Sequence, residues 1–142
     1  MATATFTKVY SLTEAIAKKV HNLGSDTLKV ALCAAANAPT TATTQYSNLT
    51  VASLTNLSGA TPANVTITSC VQTTGVLKLI LADLTLTATG SVGPFRYVVL
   101  YNDTATNKEV IGWMDYGADI TMSASETFLI DFDGANGVFT IG

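Results

Sequence analysis

Charge is what this sequence has least of. Asp, Glu, Lys and Arg make up 12% of its 142 residues, about half the share of an average soluble domain, and residues 30–77 contain none of them. The polar surface must therefore be built mainly from Thr, Ser and Asn. Seven basic residues against ten acidic ones leave a net charge of −3. That balance provides no basic stripe to neutralise phosphates and argues against a nucleic-acid partner. Long apolar runs are missing too. The longest, at residues 30–36, falls well short of the roughly 20 residues that cross a bilayer, so the positive mean hydropathy points to subunit contacts rather than to a membrane.

Cysteine is scarce. Cys33 and Cys70 could form one bridge if their strands are neighbours, but two cysteines do not make a disulfide framework, and both read as small buried hydrophobes. The N-terminus lacks the basic start and apolar stretch of a secretory signal, so export by that route is not expected. Asn-x-Ser/Thr triplets at Asn48, Asn56, Asn64 and Asn102 are then products of a Thr-rich chain rather than glycosylation sites. The single histidine, His21, has no carboxylate or cysteine at a useful local spacing and is expected to be an exposed or boundary side chain.

Catalytic patterns are equally absent. Neither a Gly-rich phosphate loop nor a nucleophile elbow occurs, and no serine or cysteine has a local base. Asp131 and Asp133, followed by Asn136, suggest a cation loop, but the glycine placement is wrong and no downstream Glu closes it, so turn chemistry is the expectation. Asp115 and Asp119 could be an acid and base, yet nothing distinguishes them from solubilising residues on an edge. The reading is of a non-enzymatic chain with no metal and no cofactor.

What is present is strand patterning. Residues 96–101 are apolar on both faces, as in a strand covered on both sides, and 109–116 returns after a polar connection to pair as a hairpin. Gly117 is expected to break that second strand before a short 120–122 segment. Residues 127–132 and 138–141 follow, with Asn136-Gly137 between them as a hairpin signal. Upstream, 27–33, 76–81 and 84–89 read as strands. Residues 64–71 alternate, with Val65, Ile67, Ser69 and Val71 on one face and Thr66, Thr68 and Cys70 on the other. Residues 6–10 form a short strand or an arm. Ser11-Leu-Thr-Glu14 fits a capping box opening a helix over 11–24, with Leu12, Ile16, Val20 and Leu23 as its apolar stripe and Gly24 as terminator. The chain is one all-β domain over 1–142, a sandwich or flattened barrel of about eight mostly antiparallel strands with one N-terminal α-helix. Between strands, the Thr-, Ser- and Asn-rich segment 39–62 is either a solvated loop or a contact surface that a partner can cover without burying charge.

Gly93-Pro-Phe-Arg-Tyr-Val-Val-Leu-Tyr-Asn-Asp103, Glu109-Val-Ile-Gly-Trp-Met-Asp-Tyr-Gly117 and Glu126-Thr-Phe-Leu-Ile-Asp-Phe-Asp133 with Asn136-Gly137 resemble a family of small tailed-bacteriophage virion proteins. Leu28-Lys-Val-Ala-Leu32, after a helix and before a Thr-rich segment, fits the same pattern. The resemblance is tightest from Gly93 onward and loose over 39–74. It implies a virion component, made in the host cytoplasm, that decorates or cements the capsid surface, with no catalytic residues. The expected partners are the major capsid protein and copies of the chain itself, as a homo-oligomer such as a trimer. Lys8, Pro39, Thr41, Thr44, Tyr46, Leu49, Leu54, Leu57 and Pro62 are the candidate shell contacts. The alternative is a neck, tail or fibre-associated module binding tail proteins or a host-surface glycan, the latter through Trp113, Tyr116, Tyr46 or Tyr101.

Overall fold

The computed structural model describes residues 4–58 and 63–142. In chain order these form β1 (Phe6–Lys8), α1 (Leu12–Ala17), β2 (Leu28–Cys33), β3 (Asn64–Val65), β4 (Ile67–Thr73), β5 (Val76–Leu81), β6 (Leu84–Thr87), β7 (Val92–Asn102), β8 (Val110–Met122), β9 (Thr127–Ile130) and β10 (Phe139–Ile141). Three antiparallel sheets result, ordered β1-β8-β7-β2-β3, β10-β5-β4 and β6-β9. This is the all-β, sandwich-like arrangement with one N-terminal helix that the alternation predicts.

The centre of the largest sheet is the predicted hairpin. Val98, Val99 and Leu100 of β7 face Met114, Trp113 and Gly112 of β8, while β2 lies on the other side of β7 with Leu32 opposite Val98 and Val30 opposite Leu100. Every residue from 98 to 102 is buried, so both faces of this strand are covered, as its unbroken apolar run requires. Aromatic pairs connect this sheet to the other two. Phe95 of β7 meets Phe128 of β9 edge-on at 5.3 Å, and Phe6 of β1 stacks on Phe139 of β10 at 5.8 Å.

Local expectations are corrected at four places in the chain. Gly117 does not end β8. With φ of 92° it sits where the pairing slips from Tyr97↔Asp115 to Phe95↔Ile120, and the strand continues to Met122, a bulge geometry that glycine accommodates. Helix α1 stops at Ala17 instead of near Gly24, because Lys19 takes a left-handed φ of 62°. The Lys19 and Val20 amides bond back to the Ile16 and Ala15 carbonyls (3.1 and 2.8 Å), a Schellman closure made without glycine. The capping box does not form, since Ser11 makes no side-chain cap bond and Glu14 pairs with Lys18 one turn on.

The third correction concerns β4. Its pairing with β5 jumps from Ile67↔Leu81 to Ser69↔Ile80, leaving Thr68 as an extra residue. One inserted residue exchanges the faces beyond it, so Cys70 packs against the core while Val71 is 59% exposed. The last concerns Asn136-Gly137. A turn is present, with Gly137 at φ 82° and its amide on the Asp133 carbonyl at 2.8 Å, but β9 pairs with β6 and β10 with β5. The turn carries the chain between sheets instead of closing a hairpin.

The two cysteines are free and lie in different sheets. Burial pushes the Cys33 thiol up to about 11 and raises that of the half-buried Cys70 less. Thiol labelling of the native protein should therefore modify Cys70 first and reach Cys33 only on unfolding; peptide mapping after labelling checks the order. Packing gives a second expectation. A Cβ on Gly112 would collide with the Thr7 carbonyl and the Phe6 ring, whereas one on Gly134 would meet nothing within 4 Å. Gly112→Ala should cost about 1–3 kcal/mol in denaturant unfolding by displacing β1 from β8, with Gly134→Ala close to neutral.

Candidate functional site

The uncharged segment is neither a free loop nor wholly a surface. The Tyr10 amide donates to the Thr41 carbonyl (2.8 Å), the Tyr46 amide to Lys108 (2.9 Å), and the Val110 amide to Thr44 (2.9 Å). Farther on, Ala52 donates to the Leu32 carbonyl (2.7 Å) and Ser58 to Thr87 (2.9 Å), with isolated bridges Cys33↔Val51 and Leu57↔Ala88. Local side-chain bonds, such as the Thr40 amide to Thr43 Oγ1 (2.9 Å) and the Gln45 amide to Asn48 Oδ1 (3.1 Å), close its turns. Residues 41–58 are thereby fastened across β8, β2 and β6, and the Tyr46 ring lies 4.7 Å from that of Tyr101 in β7. Burial pushes the Tyr101 hydroxyl up to about 12.

This attachment divides the candidate shell contacts. Lys8 and Thr44 are exposed and Thr41 is partly so; Lys8 is not free, because its Nζ donates to the Thr140 carbonyl at 3.0 Å. Tyr46, Leu49 and Leu54 are half-buried against the core. Pro39 and Leu57 are buried, covered by their own chain, and so are not available to a partner in this fold. Pro62 lies outside the described residues. Sequence reasoning missed several outward positions. Tyr10, 77% exposed beside Thr41, Val71 and Val76 stand in solvent. Tyr10 could have been found from its place just before the helix, but Val71 could not, since the bulge that turns it outward leaves no mark in the alternation.

Of the acidic candidates, Asp119 is exposed, while Asp115, Asp131 and Asp133 are absorbed by structure. Asp115 accepts both Arg96 Nε (2.8 Å) and Nη2 (3.0 Å), and that guanidinium holds its carboxyl below the usual range. Asp133 accepts the Asn136 amide and side chain (3.0 and 2.9 Å), while Asp131 Oδ1 accepts the Asp133 amide (2.9 Å), which is turn chemistry. Asp103 bridges Lys108 and Lys29, whose hydrogen bonds lower its carboxyl. Among the described residues, no three His, Cys, Asp or Glu side chains gather as metal ligands would.

The corrected residue is His21. It is 5% exposed, not a boundary side chain, because its partner comes from the far end of β7. Asn102, fully buried, donates through Nδ2 to His21 Nδ1 (3.0 Å) and to Asp26 Oδ2 (2.6 Å), while its Oδ1 accepts the amides of Thr104 (3.0 Å) and Ala105 (3.2 Å). The contacts to Asp26, Thr104 and Ala105 fix the amide orientation, so His21 Nδ1 accepts and the neutral ring carries its proton on Nε2. Asp26 Oδ2 also accepts the Asn22 amide at 2.7 Å. A surface cleft of about 460 Å³ lies alongside, lined by Lys19, Asn22, Asp26, Thr106, Asn107 and Glu109 among others. Asn102→Ala would strand two amides and a buried imidazole, and should cost about 2–4 kcal/mol in denaturant unfolding, well beyond the effect of Asn107→Ala at the exposed cleft rim. Comparison with protein-family models, with characterised proteins and with solved structures finds no match to this chain.

Proposed function

We propose that this chain is a non-enzymatic bacteriophage structural protein, a capsid decoration or cement protein that binds the shell of the major capsid protein together with copies of itself. The observation that carries this reading is the surface made by the uncharged run. Residues 30–77 hold no formal charge; part of this run is fastened to β8, β2 and β6 with Tyr46 on Tyr101, and part forms β4, the outer strand of its sheet, with Val71 exposed. A neutral, hydroxyl-rich surface can be covered by a partner without desolvating charge. The motifs from Gly93 onward supply the resemblance to virion proteins. Stabilisation then follows by linkage, because a protein that binds only the assembled shell shifts the equilibrium toward it.

The neck, tail or fibre reading draws less support. Sugar binding uses exposed aromatic faces, and of Trp113, Tyr116, Tyr46 and Tyr101 only Tyr116 is exposed, with its ring edge-on to Phe128 at 5.4 Å. Stoichiometry separates the two. Against the major capsid protein in purified particles, a decoration protein is expected in a small integer ratio, on the order of hundreds of copies, whereas a ring module at the neck or tail would number about six to twelve. Particles lacking the protein should also disrupt at a lower temperature. Val71→Lys or Thr44→Lys should reduce incorporation about tenfold while leaving the melting temperature of the free chain unchanged. Copy numbers of a dozen or fewer, or full incorporation of both variants, would overturn the decoration reading.

A further inference from the structure

The buried contact between His21 and Asn102 lies outside the proposed shell contacts, and its geometry allows one protonation state of the histidine. We propose that these two residues form an acid-sensitive latch on the connection between β7 and β8, and that protonation of His21 opens it and loosens the attachment of residues 44–46.

The argument begins with donors and acceptors. An imidazolium carries a proton on both nitrogens, so a protonated Nδ1 would point a donor at the Asn102 Nδ2 donor 3.0 Å away. The amide cannot resolve the conflict by turning over. Its Oδ1 holds the Thr104 and Ala105 amides, and its Nδ2 holds Asp26 Oδ2 at 2.6 Å; reversal would free both amides and set oxygen against oxygen at Asp26. One of the two side chains must leave its place. The imidazolium has somewhere to go, because two carboxyl groups, Asp26 and Glu109, act on the ring electrostatically, and Glu109 Oε2 is a buried atom without a hydrogen-bond partner, as is His21 Nε2. Nearby in the same connection, Asp103 is occupied by Lys29 and Lys108, and Lys19 stands at the rim of the adjacent cleft.

Loosening is transmitted because the connection is the anchor of the uncharged segment. Thr27 donates its amide to Thr104 Oγ1 (2.8 Å) and accepts the Asp103 amide (2.9 Å). Past the turn, the Tyr46 amide donates to the Lys108 carbonyl, the Val110 amide to Thr44, and Gln45 bridges Glu109. If the Asn102 side chain moves, the turn at Thr104 and Ala105 loses its acceptor, and these strand-like contacts lose their rigid side.

Burial lowers the affinity of the His21 ring for a proton, with the Glu109 and Asp26 carboxyl groups opposing that effect. The folded chain thus binds the proton less readily than the unfolded chain. Stability from this source is complete above the ordinary imidazole value near 6.5 and is lost as pH falls from there toward the lowered folded value. This does not depend on the virion reading.

The test is imidazole nitrogen NMR together with amide hydrogen exchange on the full chain, from roughly pH 7 to pH 4.5. At neutral pH the ring should be the Nε2–H tautomer. As it titrates, the amides of Tyr46, Thr104, Ala105 and Val110 should exchange about tenfold faster after correction for intrinsic rates, while the central β7–β8 amides do not. His21→Gln, which keeps an acceptor but does not titrate, should lose the acid-dependent increment. An equal increment in the variant would overturn the latch. So would titration of the wild-type ring without change at those four amides, a measurement that decides the matter even where the variant fails to fold.

Discussion

Residues 98–102 of β7 are buried without a break, and a strand in that position needs structure against both of its faces. Most of the fold answers to this requirement. The two smaller sheets supply one layer, reaching the large sheet through the Phe6–Phe139 and Phe95–Phe128 pairs. No further sheet exists among the described residues to supply the other. Tyr46 of the uncharged segment packs on Tyr101, backbone bonds tie the segment to β8, β2 and β6, and α1 contributes buried Leu12 to the core. The segment's lack of charge then has a reason inside the chain. A Lys or Glu carried across the face of an apolar sheet would lose hydration without gaining a partner, whereas Thr and Ser can close their own turns, as Thr40 and Thr43 do.

The end of the hairpin poses a different problem. Where β7 leaves the core, its last residue is fully buried yet polar, and the connection that follows presents amides to be satisfied. Asn102 is suited to this because one uncharged side chain offers two donors and an acceptor. It holds the turn through Oδ1 and the chain after α1 through Nδ2, drawing His21 and Asp26 inward. Part of this end is left unsatisfied, at His21 Nε2 and Glu109 Oε2. Buried polar networks are strong where complete and weak where a member lacks a partner, and the unpartnered atoms of this one lie on the side of His21 and Glu109.

Strands with a simple pattern were legible. The strand at 76–81 and the apolar run of β7 appear where their composition places them, and of the expected 84–89 residues 84–87 form a strand. Positions set by long-range pairing were not. Thr68 is extra only because of how β4 meets β5, so strict alternation assigned Val71 to the wrong face. Gly137 was recognised as a turn former, correctly in conformation, but whether a turn joins paired strands depends on which sheet each strand enters; Gly117, expected to break its strand, is carried through it in a bulge. Lys19 closing a helix at positive φ gives no compositional signal, because glycine is the usual residue there. His21 was misjudged for the same kind of reason. Its partner Asn102 lies 81 residues away, and inspection of the local sequence cannot find it.

The candidate contact residues are sorted by the same physics. Apolar members of the segment, Pro39 and Leu57, turn inward because the sheet beneath offers them burial, and Tyr46, Leu49 and Leu54 follow part of the way. The hydroxyls and the residues displaced by irregularities are left facing outward. β4 is the clearest case. Chains ordinarily protect an outer strand with Lys, Pro or an inward charge, and β4 has none of these, only the bulge at Thr68. Its exposed Val71 lies across from Lys78, and Thr73 lies across from exposed Val76. A neutral edge of this kind is a liability for a chain that stays alone and an advantage for one that is covered in an assembly. That difference is why the proposed place of this protein on a larger symmetric particle accounts for β4 better than a solitary role does.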